Sequence, residues 1–199
     1  MAAGITIAEL VRRRVKRYPK GYPFTLKRFD LLGATARGGV EKAIARMVRS
    51  SELERVCRGV YMRPKQSKYT GKNVRPSPLA VMEVVTRARG ETIQMHGAEA
   101  ARRLGLSTQM QVTAIYYTSG SSRVIQIGQA TVRLVLVPMR YLQHAGTKVG
   151  LVITALFYMG KKEAISPGVG SSILKQLTPA ELKLLMASHI PKWMREIFE

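Results

Sequence analysis

The side chains with the most chemistry to offer are cationic, and they come in sets. Arg12, Arg13 and Lys16 form one set, Arg37, Lys42, Arg46 and Arg49 a second, and Arg55, Arg58 and Lys65 a third. Guanidinium and ammonium groups at such spacing capture phosphate, and arginine also offers a planar fork that matches a guanine edge. On this reading Arg37, Lys42 and Arg46 reach base edges or nearby phosphates. Arg12, Arg13, Lys16, Arg55, Arg58 and Lys65 hold phosphates, which positions a protein without specifying sequence. Arg49 completes the DNA-binding set.

Other reactive groups form no comparable constellation. His96, His144 and His189 lie far apart, and no Cys/His spacing suits zinc, so no metal site is expected. His96 and Glu99 can be drawn as an acid/base pair, but a histidine near a helix start is more often structural. Cys57 reads as a small packing residue and excludes an intrachain disulfide, which fits a reducing cytoplasm. Ser119-Gly120-Ser121-Ser122 lacks the Lys-Ser/Thr ending of a phosphate-binding loop. No catalytic residues and no cofactor are expected, and the chain reads as a binding protein, not an enzyme.

The charge balance supports that reading. The chain has 199 residues, with 33 Lys and Arg against 12 Asp and Glu, a net charge of +21. Residues 1–75 carry 19 basic and 5 acidic residues, a surplus of 14; the rest carries 14 and 7, a surplus of 7. A surplus concentrated near one end points to a dedicated polyanion-binding domain. With 46% hydrophobic residues the chain can form a core. The longest apolar run, Val149 to Met159, is too short to span a membrane, and no membrane partner is expected.

The elements that would carry the cations can be read in order. Thr6-Ile7-Ala8-Glu9 is a capping box opening a helix to Arg17, with Ile7, Leu10, Val11, Val15 and Tyr18 on its apolar face. Thr25 opens a two-turn helix over Leu26 to Leu32, ended by Gly33. A third helix runs from Val40 to Ser50, with Gly39 as its cap and Val40, Ala43, Ile44, Met47 and Val48 facing inward. Leu53 to Met62 is a hairpin turning at Arg58-Gly59. Three helices and a hairpin, in that order, make a winged helix-turn-helix. Its third helix would enter the major groove of double-stranded DNA, with the hairpin tip against phosphate or minor groove.

These signals divide the chain into a winged helix domain over 1–63, an exposed basic linker over 64–78 and a second domain over 79–199. The second domain alternates helical and β-rich stretches. Helices are expected over Leu79–Ala88, Ala98–Leu104 and Leu151–Met159, and strands over Val112–Thr118, Val124–Ile127 and Ala130–Val137. A capping box at Thr178-Pro179-Ala180-Glu181 opens a further helix. The fold class expected is α+β.

Several segments carry a family resemblance. Val56 to Tyr61, reached through Val40 to Val48, resembles the wing and recognition helix of AbiEi-type antitoxins from type IV toxin–antitoxin (abortive infection) systems. His96 to Gln109, with its Gly97-Ala98 and Leu104-Gly105-Leu106-Ser107, is similar to a segment of their second domain. Tyr117-Thr118-Ser119-Gly120 and Arg123 to Gly128 resemble the strands of that domain, and Pro191-Lys192-Trp193-Met194 resembles its C-terminal end. The match is closest to a compact subfamily known only as an uncharacterised domain.

The resemblance implies an antitoxin and autorepressor that binds inverted repeats in its own promoter. It also implies a second domain that opposes a nucleotidyltransferase toxin without a stable complex. The alternatives are a stand-alone transcriptional regulator and an RNA-binding protein, because phosphate affinity alone does not separate the two nucleic acids.

Overall fold

The computed structural model describes residues 5–198 and has the mixed α+β character expected. The chain divides into two compact units, one running through Arg89 and including Gln126–Ala130, the other comprising Gly90–Ile125 and the chain from Thr131 onward.

The first unit opens with α1, Ile7–Lys16, whose Thr6 hydroxyl accepts from the Glu9 amide at 3.3 Å. The reciprocal half of the capping box is diverted. The Glu9 carboxylate takes Arg13 at 2.7 Å, one turn on, where a charge-assisted bond outcompetes an amide that water can serve. Val11 and Val15 are buried, whereas Ile7 and Leu10 remain over a third exposed.

After strand β1, Phe24–Thr25, the expected two-turn α-helix is a 3₁₀ segment, Leu26–Leu32. The reason is the apolar spacing. Leu26, Phe29 and Leu32 recur every third residue, which aligns them at three residues per turn, and all three pack on the core. Gly33, at φ +90°, ends it, and a short 3₁₀ turn, Ala34–Ala36, leads into α2, Arg37–Arg49.

Helix α2 therefore starts a turn earlier than its apolar periodicity suggests, and Gly39 is no cap. A Cβ there would sit 3.1 Å from the Ile7 side chain, so this glycine lets α1 close on α2. Strands β2, Glu54–Cys57, and β3, Val60–Met62, form the hairpin, with Gly59 at φ +77° in the turn and a bulge between Arg55 and Cys57. The sheet is antiparallel in the order β1-β3-β2.

The core gathers Val11, Val15, Phe24, Phe29, Val40, Ala43, Ile44, Met47 and Leu53. Arg63 ties α1 to the sheet by donating to the Lys16 and Tyr18 carbonyls, both at 2.9 Å, which satisfies the open end of that helix. Helix α3, Pro78–Arg89, lies against β1. The division between units thus falls at Arg89/Gly90, after this helix, and not at residue 79 as the sequence suggests.

The second unit carries β4, Ile93–Met95, helix α4, Gly97–Arg103, strand β5, Ala114–Thr118, and all of β6, Arg123–Ile127, and β7, Ala130–Leu136, except their adjoining ends within Gln126–Ala130, which belong to the first unit. The sheet order is β4-β5-β7-β6, with β4 antiparallel and β7 parallel to β5. Helices α5, Lys148–Ala164, α6, Val169–Leu174, α7, Pro179–Met186, and α8, Lys192–Glu196, complete it. Gly160, at φ +75°, breaks α5 just after Met159, where the apolar run ends.

The capping box at Thr178 and Glu181 is complete. Helix α4 packs closely on α5 through Gly97, Ala100 and Ala101. A Cβ on Gly97 would collide with Tyr158 and lie 2.9 Å from the Thr154 carbonyl oxygen. The Gly97-Ala98 segment is thus a helix-packing device in this chain.

Candidate nucleic-acid interface

Helix α2 turns Val40, Ala43, Ile44 and Met47 to the core, which leaves Lys42, Arg46 and Arg49 on its outward side. Arg46 stands at the margin of that side facing α1. Arg12, Arg13 and Lys16 come to meet it from α1, and the four cations line one open groove of about 540 Å³ floored by Ala43 and Met47. The like-charged pair Arg12 and Lys16, a turn apart, repels in the isolated helix, and an anion in the groove would relieve it.

Three of the ten cations singled out in the sequence already hold carboxylates. Arg12 bonds Glu52 at 2.7 Å, Arg13 bonds Glu9 at 2.7 Å and Arg37 meets Glu41 at 3.3 Å. The hydrogen bond from Arg12 holds the Glu52 carboxyl below the usual carboxylate range. Lys16, Lys42, Arg46, Arg49, Arg55, Arg58 and Lys65 pair with no carboxylate among the described residues. Glu54, a fourth acid of this region, pairs with Arg75 at 3.5 Å. The acids of this half are therefore largely spent within it, while most of its cations face water.

The structure separates some residues that the sequence groups together. Arg37 and Arg46 are nine positions apart, which is half a turn round the helix. Arg37 consequently lines a different groove, of about 390 Å³, with Lys27, Asp30 and Glu41. Arg58 stands exposed at the hairpin turn, and Arg55 points outward from β2. Lys65 lies past the sheet, with its stem against Gly21. Arg63, in sequence only one more basic residue, closes α1. Its role has no local signal, because its partners lie 45 and 47 positions away.

Cys57 is half-buried, and that burial pushes its thiol up, against a weaker pull from Arg55, so it is protonated at neutral pH.

In the second unit the residues drawn as an acid/base pair have separate partners. His96 Nδ1 accepts from the Ala98 amide at 3.2 Å and lies 2.7 Å from the Gln111 amide nitrogen, so it acts as the cap of α4. The rings of Tyr117 and Tyr158 flank it at 4.8 and 5.5 Å. Burial holds the His96 pKa below its ordinary value, which keeps the ring neutral.

Glu99 turns the other way, to Arg102 at 2.7 and 2.8 Å and to Arg103 at 3.1 Å. The Arg102 bonds above all draw its carboxyl down to about 2. In the serine-rich loop, Gly120 lies directly against the Glu91 carboxylate, which Arg123 holds at 2.5 and 3.1 Å. A phosphate at that loop would have to displace a carboxylate. Among the described residues no group of His, Cys, Asp and Glu is placed to hold a metal, and no helix is long and apolar enough to cross a membrane.

Residues 10–181 match a family of unknown function, DUF6088, and the chain belongs to that family. No curated protein and no solved structure matches it.

Proposed function

We propose that this member of the family is a cytoplasmic DNA-binding antitoxin and autorepressor of the type IV kind. The observation that carries the DNA-binding part is the groove in which Arg12, Arg13 and Lys16 of α1 converge with Arg46 of α2, beside the outward Lys42 and Arg49. In this reading the first unit works as a winged helix-turn-helix. Helix α2 enters the major groove and offers Lys42, Arg46 and Arg49 to bases and the adjoining strand. Helix α1 lies across the backbone and binds phosphates, and Arg58 at the hairpin turn reaches a phosphate or the minor groove. Binding needs no cofactor, metal or catalytic residue.

The antitoxin part rests on the resemblance of His96–Gln109 and the segments after it to AbiEi-type antitoxins. The second unit would oppose a nucleotidyltransferase toxin without a lasting complex. A nucleotidyltransferase gene immediately downstream, whose toxicity is relieved by co-expression of this chain, supports this part; toxicity unrelieved by the chain removes it and leaves a stand-alone regulator.

The DNA reading is tested with the full-length protein on duplex from its own upstream region. If about six phosphates are neutralised, log affinity falls with log salt at a slope of roughly −5. Arg46→Ala should cost ~1–3 kcal/mol of preference for that duplex over random DNA if Arg46 reads a base. Equal loss on both would make it a phosphate contact. Salt-independent affinity, or tighter binding to RNA of the same sequence, would refute the reading.

A further inference from the structure

The stretch read from sequence as an exposed basic linker contains a second hairpin. Val74 donates its amide to the Lys65 carbonyl at 2.6 Å, and Gln66 and Asn73 bridge antiparallel. Nearer the tip, the Ser67 amide bonds the Lys72 carbonyl at 2.9 Å and the Gly71 amide bonds the Ser67 carbonyl at 3.0 Å. The Ser67 hydroxyl accepts from the amides of Tyr69 and Thr70 at 3.3 and 3.2 Å. Gly71, at φ +64°, completes the turn.

The root of this hairpin is anchored. Asn73 donates to Glu54 of β2 at 3.3 Å, and Arg63, just upstream, is fastened to the carbonyls at the end of α1. The hairpin therefore leaves the sheet beside the basic end of α1, at the opposite end of the β2–β3 ribbon from Arg58.

Its tip presents Lys68, Tyr69 and Lys72. Tyr69 is 98% exposed, against 46% for Tyr158, the other exposed tyrosine among the described residues. Glu54, the acid nearest in the fold to the hairpin root, is already bonded to Asn73 and Arg75, and neither lysine pairs with a carboxylate among the described residues. Ordering such a tip costs backbone entropy, and the ring recovers none of it by burial inside the protein. An exposed amphipathic ring on the same hairpin tip as two exposed lysines suits a nucleobase flanked by phosphates. Stacking serves the base face, and the lysines serve the anions.

We propose that the hairpin Lys65–Val74 is a second nucleic-acid contact, in which Lys68 and Lys72 bind phosphates and Tyr69 stacks on a base at an unstacked step beside the α1–α2 footprint. The proposal rests on the DNA-binding reading above and adds a contact that the winged helix-turn-helix does not require.

The test uses the full chain and duplex from its own upstream region, with 2-aminopurine placed at successive positions. Tyr69→Ala should weaken binding about tenfold at unchanged salt slope, and Tyr69→Phe should stay within about twofold of the wild type. Lys68→Ala and Lys72→Ala should each reduce the slope by about 0.9. One 2-aminopurine position should change its fluorescence with the wild type and not with Tyr69→Ala. Equal affinity of Tyr69→Ala and wild type overturns the proposal and leaves the DNA reading standing. A wild type that binds no duplex overturns both.

Discussion

Glu52 offers the sharpest perturbation of the α1–α2 groove. Its carboxylate occupies Arg12 at 2.7 Å, with the two side chains 35% and 55% exposed. A phosphate that takes Arg12 must first displace it. At this exposure the pair is worth roughly 0.2–1 kcal/mol. The displaced carboxylate then stays near the phosphate, and like charges about 8 Å apart in water repel by about 0.5 kcal/mol. Removing the charge should therefore strengthen binding by roughly 0.7–1.5 kcal/mol, about three- to twelvefold.

Glu52→Gln is the suitable change, because its carbonyl can keep the bond from the Ser50 hydroxyl, 3.1 Å in the native chain. The readout is fluorescence anisotropy with labelled upstream duplex at several salt concentrations, where the gain should be largest at low salt. Glu163→Gln, an exposed site on α5, changes net charge equally and is the control. If Glu52→Gln binds no tighter than the native chain, or gains no more than Glu163→Gln, then Arg12 does not meet phosphate and the groove is not the footprint.

Two further outcomes concern the second unit. Gly97→Ala drives a Cβ into Tyr158 and toward the Thr154 carbonyl, an overpacking that should cost about 1–3 kcal/mol. Thermal unfolding should register it as a lowered midpoint, and an unchanged midpoint would show that α4 and α5 are not in close contact. Glu99 has a folded-state pKa of about 2, below the ordinary 4.5, so its stabilisation is fully present above pH 4.5 and is lost as pH falls through 2. Partial exposure screens the pair, so Glu99→Gln should cost on the order of 1 kcal/mol near neutrality. In urea melts that gap should close toward pH 2, and a gap independent of pH would refute the assignment to the Arg102 pair.

Local physics was legible in the sequence. Thr6 and Thr178 cap helices because a hydroxyl before an apolar-periodic run has amides to accept from, and that needs only neighbours in the chain. Gly59 marks the hairpin because few other residues tolerate its positive φ. The excess of cations in residues 1–75 is a matter of counting. Element type was less secure where two local readings competed. Leu26, Phe29 and Leu32 fit a helix of either pitch, and the core chose the tighter one.

Helical periodicity assigns residues to a face but cannot say what that face meets. That Arg46 joins Arg12, Arg13 and Lys16 while Arg37 is turned away comes from the docking of α1 on α2, which Gly39 permits. The partner of Arg12 lies 40 positions away at Glu52, and Arg63 reaches back 47 to Lys16, so no window along the chain reveals either. The residues after Pro64 read as a linker because a hairpin held by main-chain bonds and one serine leaves no hydrophobic period. Composition and local stereochemistry thus set the charge, the caps and the turns of this protein. Which cations face one another was decided only when packing brought distant surfaces together, because the energy of that docking belongs to pairs of elements and not to either alone.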